Sequence, residues 1–279
     1  MSQSPLRVSI QGYAGAFHEA AARAYFRDME VEPVAGHTFA DVVAQVERGE
    51  SRVALMAIEN TLAGSLMANY DLLRHSALII TGEVYLRIRQ NLMALPGVRL
   101  EELRQVYSHP IALAQVREFF MAYPNIELIE DVDTALSARD VLESGDRSRG
   151  AVASTMAAKL YDLEILAAGI ETNKLNHTRF LVLERGAVRE DAPGDKVSLS
   201  FSTTHESGSL HQVLTVLAAY RFNLTKIQSA PIIGKPWQYR FYVDFVLEGD
   251  LSLTQALDAV RPLVLDLHVQ GVYTQGEKP

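Results

Sequence analysis

The sequence contains no cysteine, which excludes disulfides, thiolate nucleophiles and cysteine-based metal sites. It also has no run of about 18 apolar residues, the length that a membrane-spanning helix needs. Its first residues, MSQSPLRVSIQG, have no apolar signal core. The formal net charge of −8 argues against nucleic acid or an acidic membrane as a partner. We therefore expect a soluble, cytoplasmic protein with neither of these partners.

Apolar runs typical of strands alternate with helical patterns as far as Arg185. Residues 53–59, VALMAIE, form a near-continuous apolar run, which is typical of a buried parallel strand. Residues 39–50 instead have apolar side chains at helical spacing, and residues 78–95 predict one long strand. This alternation predicts an α/β layer architecture.

The character of the sequence changes after Arg185. Residues 186–195 are polar, contain Gly and Pro, and predict a linker. Residues 196–275 then follow the order βαββαβ, which is typical of a ferredoxin-like unit, and Pro262 is expected to disturb the last turn of its second helix. The prediction is a large α/β domain at 1–185 and a small domain at 196–275.

Four polar turns lie at the ends of predicted strands in the large domain, at residues 12–18, 59–61, 108–110 and 176–180. In open α/β sheets, ligands bind where strand ends meet helix N-termini, whose free N–H groups suit carboxylates. Arg179 adds a guanidinium group that can hold a carboxylate through two hydrogen bonds. The pattern predicts a cleft for a small anionic ligand.

Each of these turns also has a plainer structural explanation. The two glycines of the first turn suit a tight βα connection, and their spacing is not the G-x-G-x-x-G of dinucleotide sites. Asn60, Thr61 and Ser108 could cap helices. Arg179 could form a surface ion pair, and Thr178 is a good strand residue. The histidines show no metal-ligand spacing, so we expect neither a metal nor an organic cofactor.

Taken together, the motifs resemble those of the prephenate dehydratase family over nearly the whole chain. They are IENT at 58–61, SHPIALAQ at 108–115, NHTRF at 176–180 and GSLHQVLTVLAAYRFNLTKIQSAP at 208–231. The resemblance implies a bilobal catalytic domain like type II periplasmic binding proteins, followed by an ACT domain, a small regulatory module. It also implies conversion of prephenate to phenylpyruvate in L-phenylalanine biosynthesis, L-phenylalanine as effector, and a homodimer or homotetramer.

Specific residues match the family's functional positions. The resemblance makes Thr178 the catalytic residue, which meets the leaving hydroxyl, and Glu59 either a substrate-binding residue or one that orients its neighbours. The implied substrate-binding residues are Asn60, Thr61, Ser108, Gln115, Arg179, Phe180 and Glu59. The implied effector-binding residues are Gly208, Ser209, Leu210, Asn223, Leu224, Ser229 and Pro231.

The sequence also departs from the family pattern. His18 stands where the first turn usually has serine, and it could alter contacts at the helix N-terminus or hold substrate charge. Residues 228–231, QSAP, replace Glu-Ser-Arg-Pro, which predicts weakened inhibition by phenylalanine. Two alternatives remain open: arogenate, with an ammonium in place of the keto group, as substrate, and a non-catalytic amino-acid sensor.

Overall fold

The computed structural model describes residues 4–248 and 252–278, and the chain divides into two compact units. One unit contains the chain up to Leu66 together with Val84–Phe180. The other contains Met67–Glu83 and Leu181–Glu277. The segment 67–83 thus groups with the C-terminal part of the chain, whereas the sequence predicted a boundary near residue 185.

The N-terminal part of the chain builds most of a six-stranded sheet of order β2-β1-β3-β11-β5, with the short β4 pairing with β3. Strand β3 is buried over six consecutive residues, as its apolar run predicts. The elements are β1 (Leu6–Gln11), α1 (Phe17–Tyr25), β2 (Val31–Gly36), α2 (Phe39–Glu47), β3 (Val53–Asn60), β4 (Gly64–Ser65), α3 (Met67–Arg74) and β5 (Leu78–Arg87).

The middle of the chain builds a five-stranded sheet of order β10-β6-β9-β7-β8, and the chain then returns to the first sheet as β11. Helix α4 begins at Pro110, where the missing N–H costs nothing. The elements are β6 (Asn91–Ala94), β7 (Gln105–Ser108), α4 (Pro110–Phe120), β8 (Glu127–Glu130), α5 (Thr134–Ser144), β9 (Arg149–Ala153), α6 (Thr155–Leu160), β10 (Glu164–Ala167) and β11 (His177–Arg185).

The single long strand predicted for residues 78–95 is wrong. It is two strands, β5 and β6, which belong to different sheets. Between them the backbone hydrogen bonds leave the β ladders: Ile88 N donates to Asn176 O at 2.8 Å, and Gln90 N donates to the carboxylate of Glu171 at 2.9 Å. The alternation of apolar and polar residues that is typical of a strand continues through Leu86, Arg87, Ile88 and Arg89, so periodicity gave no warning of the break.

The C-terminal part of the chain has the predicted βαββαβ order and forms an antiparallel sheet of order β13-β14-β12-β15. Its core includes Val197, Phe201, Leu217 and Phe245. Helix α8 ends two residues before Pro262 and a 3₁₀ turn follows, as expected for a residue without N–H. The elements are β12 (Lys196–Ser202), α7 (Ser209–Ala219), β13 (Asn223–Pro231), β14 (Tyr239–Val246), α8 (Leu253–Val260) and β15 (His268–Tyr273).

Candidate active site

A cavity of about 260 Å³ lies in the first unit, where ends of β1, β3 and β11 meet the N-termini of α1, α4 and α5. Helices α4 and α5 carry their own caps, because His109 accepts from Ile111 N and Asp133 accepts from Ala135 N and Leu136 N. Helix α1 has no side-chain cap. Its first N–H groups are therefore suited to a ligand carboxylate.

The two glycines of the first turn allow the close approach that forms the cavity. Both adopt positive φ, +99° at Gly12 and +88° at Gly15. A Cβ on Gly12 would lie 2.7 Å from Asp133 Oδ2, and one on Gly15 would lie 2.9 Å from the Ala157 Cα. Glycine is therefore required at both positions for two reasons: the backbone has positive φ, and there is no space for a Cβ.

The Thr178 hydroxyl faces the cavity and is held by one asparagine. Asn60 Nδ2 donates to Thr178 Oγ1 at 2.9 Å and to Asn176 Oδ1 at 2.8 Å. Asn60 Oδ1 accepts from the backbone N–H groups of Leu62 and Ala63, which fixes the amide plane. Because Thr178 Oγ1 accepts this bond, its own proton remains available for a group in the cavity. Asn60 therefore caps a turn and orients the hydroxyl at the same time.

The hydrogen-bond network extends from Asn60 to two glutamines in the cavity wall. Asn176 Nδ2 donates to Gln115 Oε1 at 3.0 Å, and Gln90 Nε2 donates to the same oxygen at 3.1 Å. Gln90 Oε1 is buried and accepts no hydrogen bond from any residue that the structure describes. Sequence reasoning missed Asn176 and Gln90 as site residues, although Asn176 opens the NHTRF motif; nothing in the local pattern singles out Gln90.

Strand alternation decides which residues of the NHTRF motif reach the cavity. Thr178 and Phe180 line it, and Arg179 does not. Successive side chains of a strand point to opposite faces, so Arg179 faces away from the cavity that its two neighbours line, and its role in holding a carboxylate stays a prediction. Arg179 is buried on the other face, and Glu59, the neighbour of Asn60, is likewise absent from the lining.

Thr61 and Ser108 form hydrogen bonds within the framework and do not line the cavity, so their roles in substrate binding stay predictions. Thr61 Oγ1 donates to Leu175 O at 2.7 Å and accepts from His177 N at 3.0 Å, which joins the end of β3 to the start of β11. Ser108 is fully buried, and its hydroxyl donates to Val152 O at 2.6 Å. Of the predicted substrate-binding residues, Asn60, Gln115 and Phe180 line the cavity.

His18 lies in the cavity wall as a neutral imidazole. Its ring meets Phe180 edge to face at 5.0 Å and packs against Phe39 at 5.5 Å. Burial lowers the pKa of His18 to about 4, because the charged form is poorly solvated there. In the ligand-free protein His18 is therefore neutral near pH 7, and it contributes an aromatic wall to the cavity rather than a charge.

The depressed pKa of His18 predicts acid sensitivity. The unfolded chain takes up a proton near pH 6.5 and the folded chain only near pH 4, so stability present above pH 6.5 is lost as the pH falls through this window. Urea unfolding should show that His18→Gln loses less stability between pH 7.5 and 4.5 than the parent, by roughly 2 to 3 kcal/mol. Equal losses in both proteins would contradict the burial of the neutral ring.

Asp133 is the only carboxylate among the residues that line the cavity, and no lysine or arginine lines it. Burial raises the pKa of Asp133, although the N–H groups of Leu136 and Ala135 oppose this. The cavity thus offers hydroxyl, amide and helix N–H groups, with one acidic side chain. Within residues 4–248 and 252–278, no group of three or more His, Asp or Glu side chains is arranged to hold a metal ion.

The predicted effector residues divide between two places in the C-terminal unit. Ser209 and Leu210, at the start of α7, line a cavity of about 300 Å³. Gly208 precedes them with φ of 85°, which suits glycine. The others are not in the lining of that cavity and lie along β13, at one edge of the sheet: Asn223, Leu224, Ser229 and Pro231.

The fold and the site define an α/β protein whose cavity is lined by a positioned hydroxyl, amides and a helix N-terminus. The prephenate dehydratase family model matches residues 8–188. Arogenate dehydratase 1 from Petunia hybrida is 38% identical, over 100% of this chain and 69% of that relative. The chain therefore belongs to the prephenate dehydratase family.

Two solved structures are similar along nearly the whole chain. Prephenate dehydratase from Arthrobacter aurescens in complex with L-Phe superposes with a TM-score of 0.83 and 27% identity, over 96% of this chain and 90% of that one. The quorum-quenching acylase GqqA has a TM-score of 0.85 and 31% identity, over 96% and 97% of the two chains. No helix in the described ranges is long and apolar enough to cross a membrane.

Proposed function

We propose that Thr178 carries the decarboxylating dehydration of prephenate in this chain, a step in the biosynthesis of L-phenylalanine. In the reaction the bond to the ring carboxylate breaks, its electron pair enters the ring, and the hydroxyl on the opposite ring carbon leaves. With one proton the products are phenylpyruvate, carbon dioxide and water. The observation that supports the proposal is the Asn60 bond to Thr178 Oγ1, which leaves the threonine proton for the departing hydroxyl.

Other groups in the cavity would orient the substrate. The uncapped N-terminus of α1 would bind one substrate carboxylate, and Phe180 would pack against the ring. A threonine hydroxyl is a weak acid, so positioning and polarisation by Asn60 must supply much of the acceleration. The test is formation of phenylpyruvate from prephenate by the purified protein; a folded protein without this turnover would refute the proposal.

Acyl transfer, the activity named for the similar acylase, finds less support at this site. Such chemistry requires a nucleophile that is hydrogen-bonded to a general base. In the described part of the chain the Thr178 hydroxyl bonds to an amide, and the Ser108 hydroxyl bonds to a backbone carbonyl. Neither hydroxyl is paired with a histidine or a carboxylate.

Arogenate is a second candidate substrate, and Asp133 favours it. The ammonium of arogenate stands where prephenate has a keto group, and a cation suits a cavity with one carboxylate and no basic residue. The unpartnered Gln90 Oε1 is a further acceptor for an ammonium. Prephenate would instead bring two negative charges beside Asp133.

The substitution Asp133→Asn tests whether arogenate or prephenate is the preferred substrate. Asparagine caps helices as well as aspartate does, so α5 should be retained. Loss of a charge-assisted bond should lower kcat/KM for arogenate about tenfold, while kcat/KM for prephenate rises. Asp131→Asn is the matched control, because Asp131 bonds to Ser137 Oγ and does not line the cavity. An unchanged ratio of the two kcat/KM values in Asp133→Asn would eliminate the proposed ammonium site.

We further propose that residues 196–275 form an ACT domain and that residues 1–185 form a bilobal, binding-protein-like catalytic domain. The βαββαβ order and the similarity to a phenylalanine-bound prephenate dehydratase support L-phenylalanine as effector. The apolar side chains Ile227 on the edge strand β13, and Ile233, Trp237 and Tyr239 after it, are exposed, which supports a homo-oligomer in which they are covered. Activity that stays flat in a phenylalanine titration would refute the effector role.

A further inference from the structure

A second cavity, with a volume of about 320 Å³, lies beside the substrate cavity in the first unit. We call it the basic groove. Three basic residues line it, and no carboxylate does: Arg87 and Arg89 at the end of β5, and Lys159 on α6. Its apolar lining includes Leu86 and Met156. The groove thus combines apolar side chains with concentrated positive charge.

The three basic side chains are not used to hold the fold together. None of them forms a hydrogen bond or ion pair with any residue in 4–248 or 252–278. Glu171 lies in the neighbourhood of Arg89, since a Cβ added to Gly169 would be 3.8 Å from Glu171 Oε1 and 3.6 Å from Arg89 Nη2. That carboxylate bonds to Gln90 N, so it belongs to the framework. Structural ion pairing therefore does not account for the cluster.

The groove adjoins the substrate cavity, because Phe17 lines both. The cavity has no lysine or arginine, and the whole protein carries a formal charge of −8. A dianionic substrate is repelled by the protein as a whole and finds no basic side chain in the cavity lining. Local positive potential beside such a cleft raises the local concentration of an anion and its association rate.

We propose that the basic groove recruits the dianionic substrate to the cavity and supplies the positive potential that the cavity lacks. This inference rests on the proposed function, since it takes the substrate to be a small ring-containing dianion. The carboxylates face Arg87, Arg89 and Lys159, and the ring contacts the apolar side chains. Positive charge beside the cavity attracts the anion without placing a strong ion pair against the reacting atoms.

The test is the salt dependence of kcat/KM for prephenate in the triple variant Arg87→Gln, Arg89→Gln, Lys159→Gln. At an ionic strength of about 0.02 M, kcat/KM should fall roughly tenfold while kcat stays unchanged. Raising the ionic strength to about 0.3 M should lower kcat/KM of the parent much more than that of the variant. Arogenate, with one net negative charge, should show a weaker salt effect than prephenate.

A second triple variant removes the same number of positive charges elsewhere on the protein. It tests whether the effect depends on where the charges lie or only on the net charge. Arg27, Lys235 and Lys278 are exposed and lie outside the basic groove, so their replacement by glutamine should leave kcat/KM close to that of the parent. Equal losses in the two triple variants, or no loss in the groove variant, would overturn the inference. Absence of turnover in the parent would refute the proposed function instead, so the two failures are distinguishable.

Discussion

Thr178→Val should lower kcat by about 10²–10³-fold, with a smaller effect on KM, because it removes the only hydroxyl that Asn60 presents to the cavity. Valine keeps the branched shape that suits strand β11. Asn60 Nδ2 retains Asn176 Oδ1 and His177 O as acceptors, so no buried donor is orphaned. The loss should therefore come from the reaction rather than from folding, with phenylpyruvate formation as the assay.

Thr178→Ser is the matched control, since it keeps the hydroxyl and removes one methyl group. It should retain most of the activity, and both variants should unfold at a denaturant midpoint close to that of the parent. Full activity in Thr178→Val would show that another group meets the leaving hydroxyl. Loss of the folded state in Thr178→Val alone would show that the hydroxyl is needed for structure.

Glu83→Gln should destabilise the C-terminal unit by about 3–5 kcal/mol, the largest effect on stability that we expect. Lys196 Nζ bonds to both Glu83 oxygens, at 2.8 and 2.9 Å, and the side chains are 1% and 0% exposed. Gly276 N donates to the same carboxylate at 3.0 Å. A neutral amide would remove the negative charge that lies within 2.9 Å of the buried lysine ammonium.

Two further variants, measured by urea unfolding, test whether the loss of stability comes from the buried charge. The double change Glu83→Leu with Lys196→Met should recover most of the lost stability, because an apolar pair of similar volume needs no desolvation of charge. Glu50→Gln, in the exposed pair with Arg48, should leave the urea midpoint close to that of the parent, because solvent screens an exposed ion pair. A loss in Glu83→Gln no larger than that in Glu50→Gln would contradict this account.

The parts of the fold that the sequence predicted well are those with strong local signals. Alternating apolar runs and helical periodicity gave the α/β architecture and the βαββαβ order of the C-terminal part. Pro110 indicated the start of α4, and Pro262 indicated that the second helix of the C-terminal part is disturbed near its end. The short strands β2 and β10 and helix α3 were missed because their patterns are brief or mixed.

The site was predictable in chemistry but not in geometry. The motifs pointed to Thr178, Asn60 and Gln115, and these do line the cavity. The same motifs also pointed to Arg179 and Ser108, which the pleat of β11 and the bond to Val152 O direct elsewhere. A motif specifies residue types and their spacing. Which of those side chains point into the cavity depends on what packs against each face of the strand.

Composition and periodicity alone therefore determined that this protein has no cysteine chemistry, that its core elements alternate, and that hydroxyl and amide groups follow its strands. Tertiary structure alone decided that the segment 67–83 joins the C-terminal unit, where the Glu83–Lys196 ion pair is buried and Gly271 leaves room for Ile80 O. It also decided that Asn176 and Gln90 complete the site. These outcomes depend on contacts between residues far apart in the chain, and local sequence signals carry no information about them.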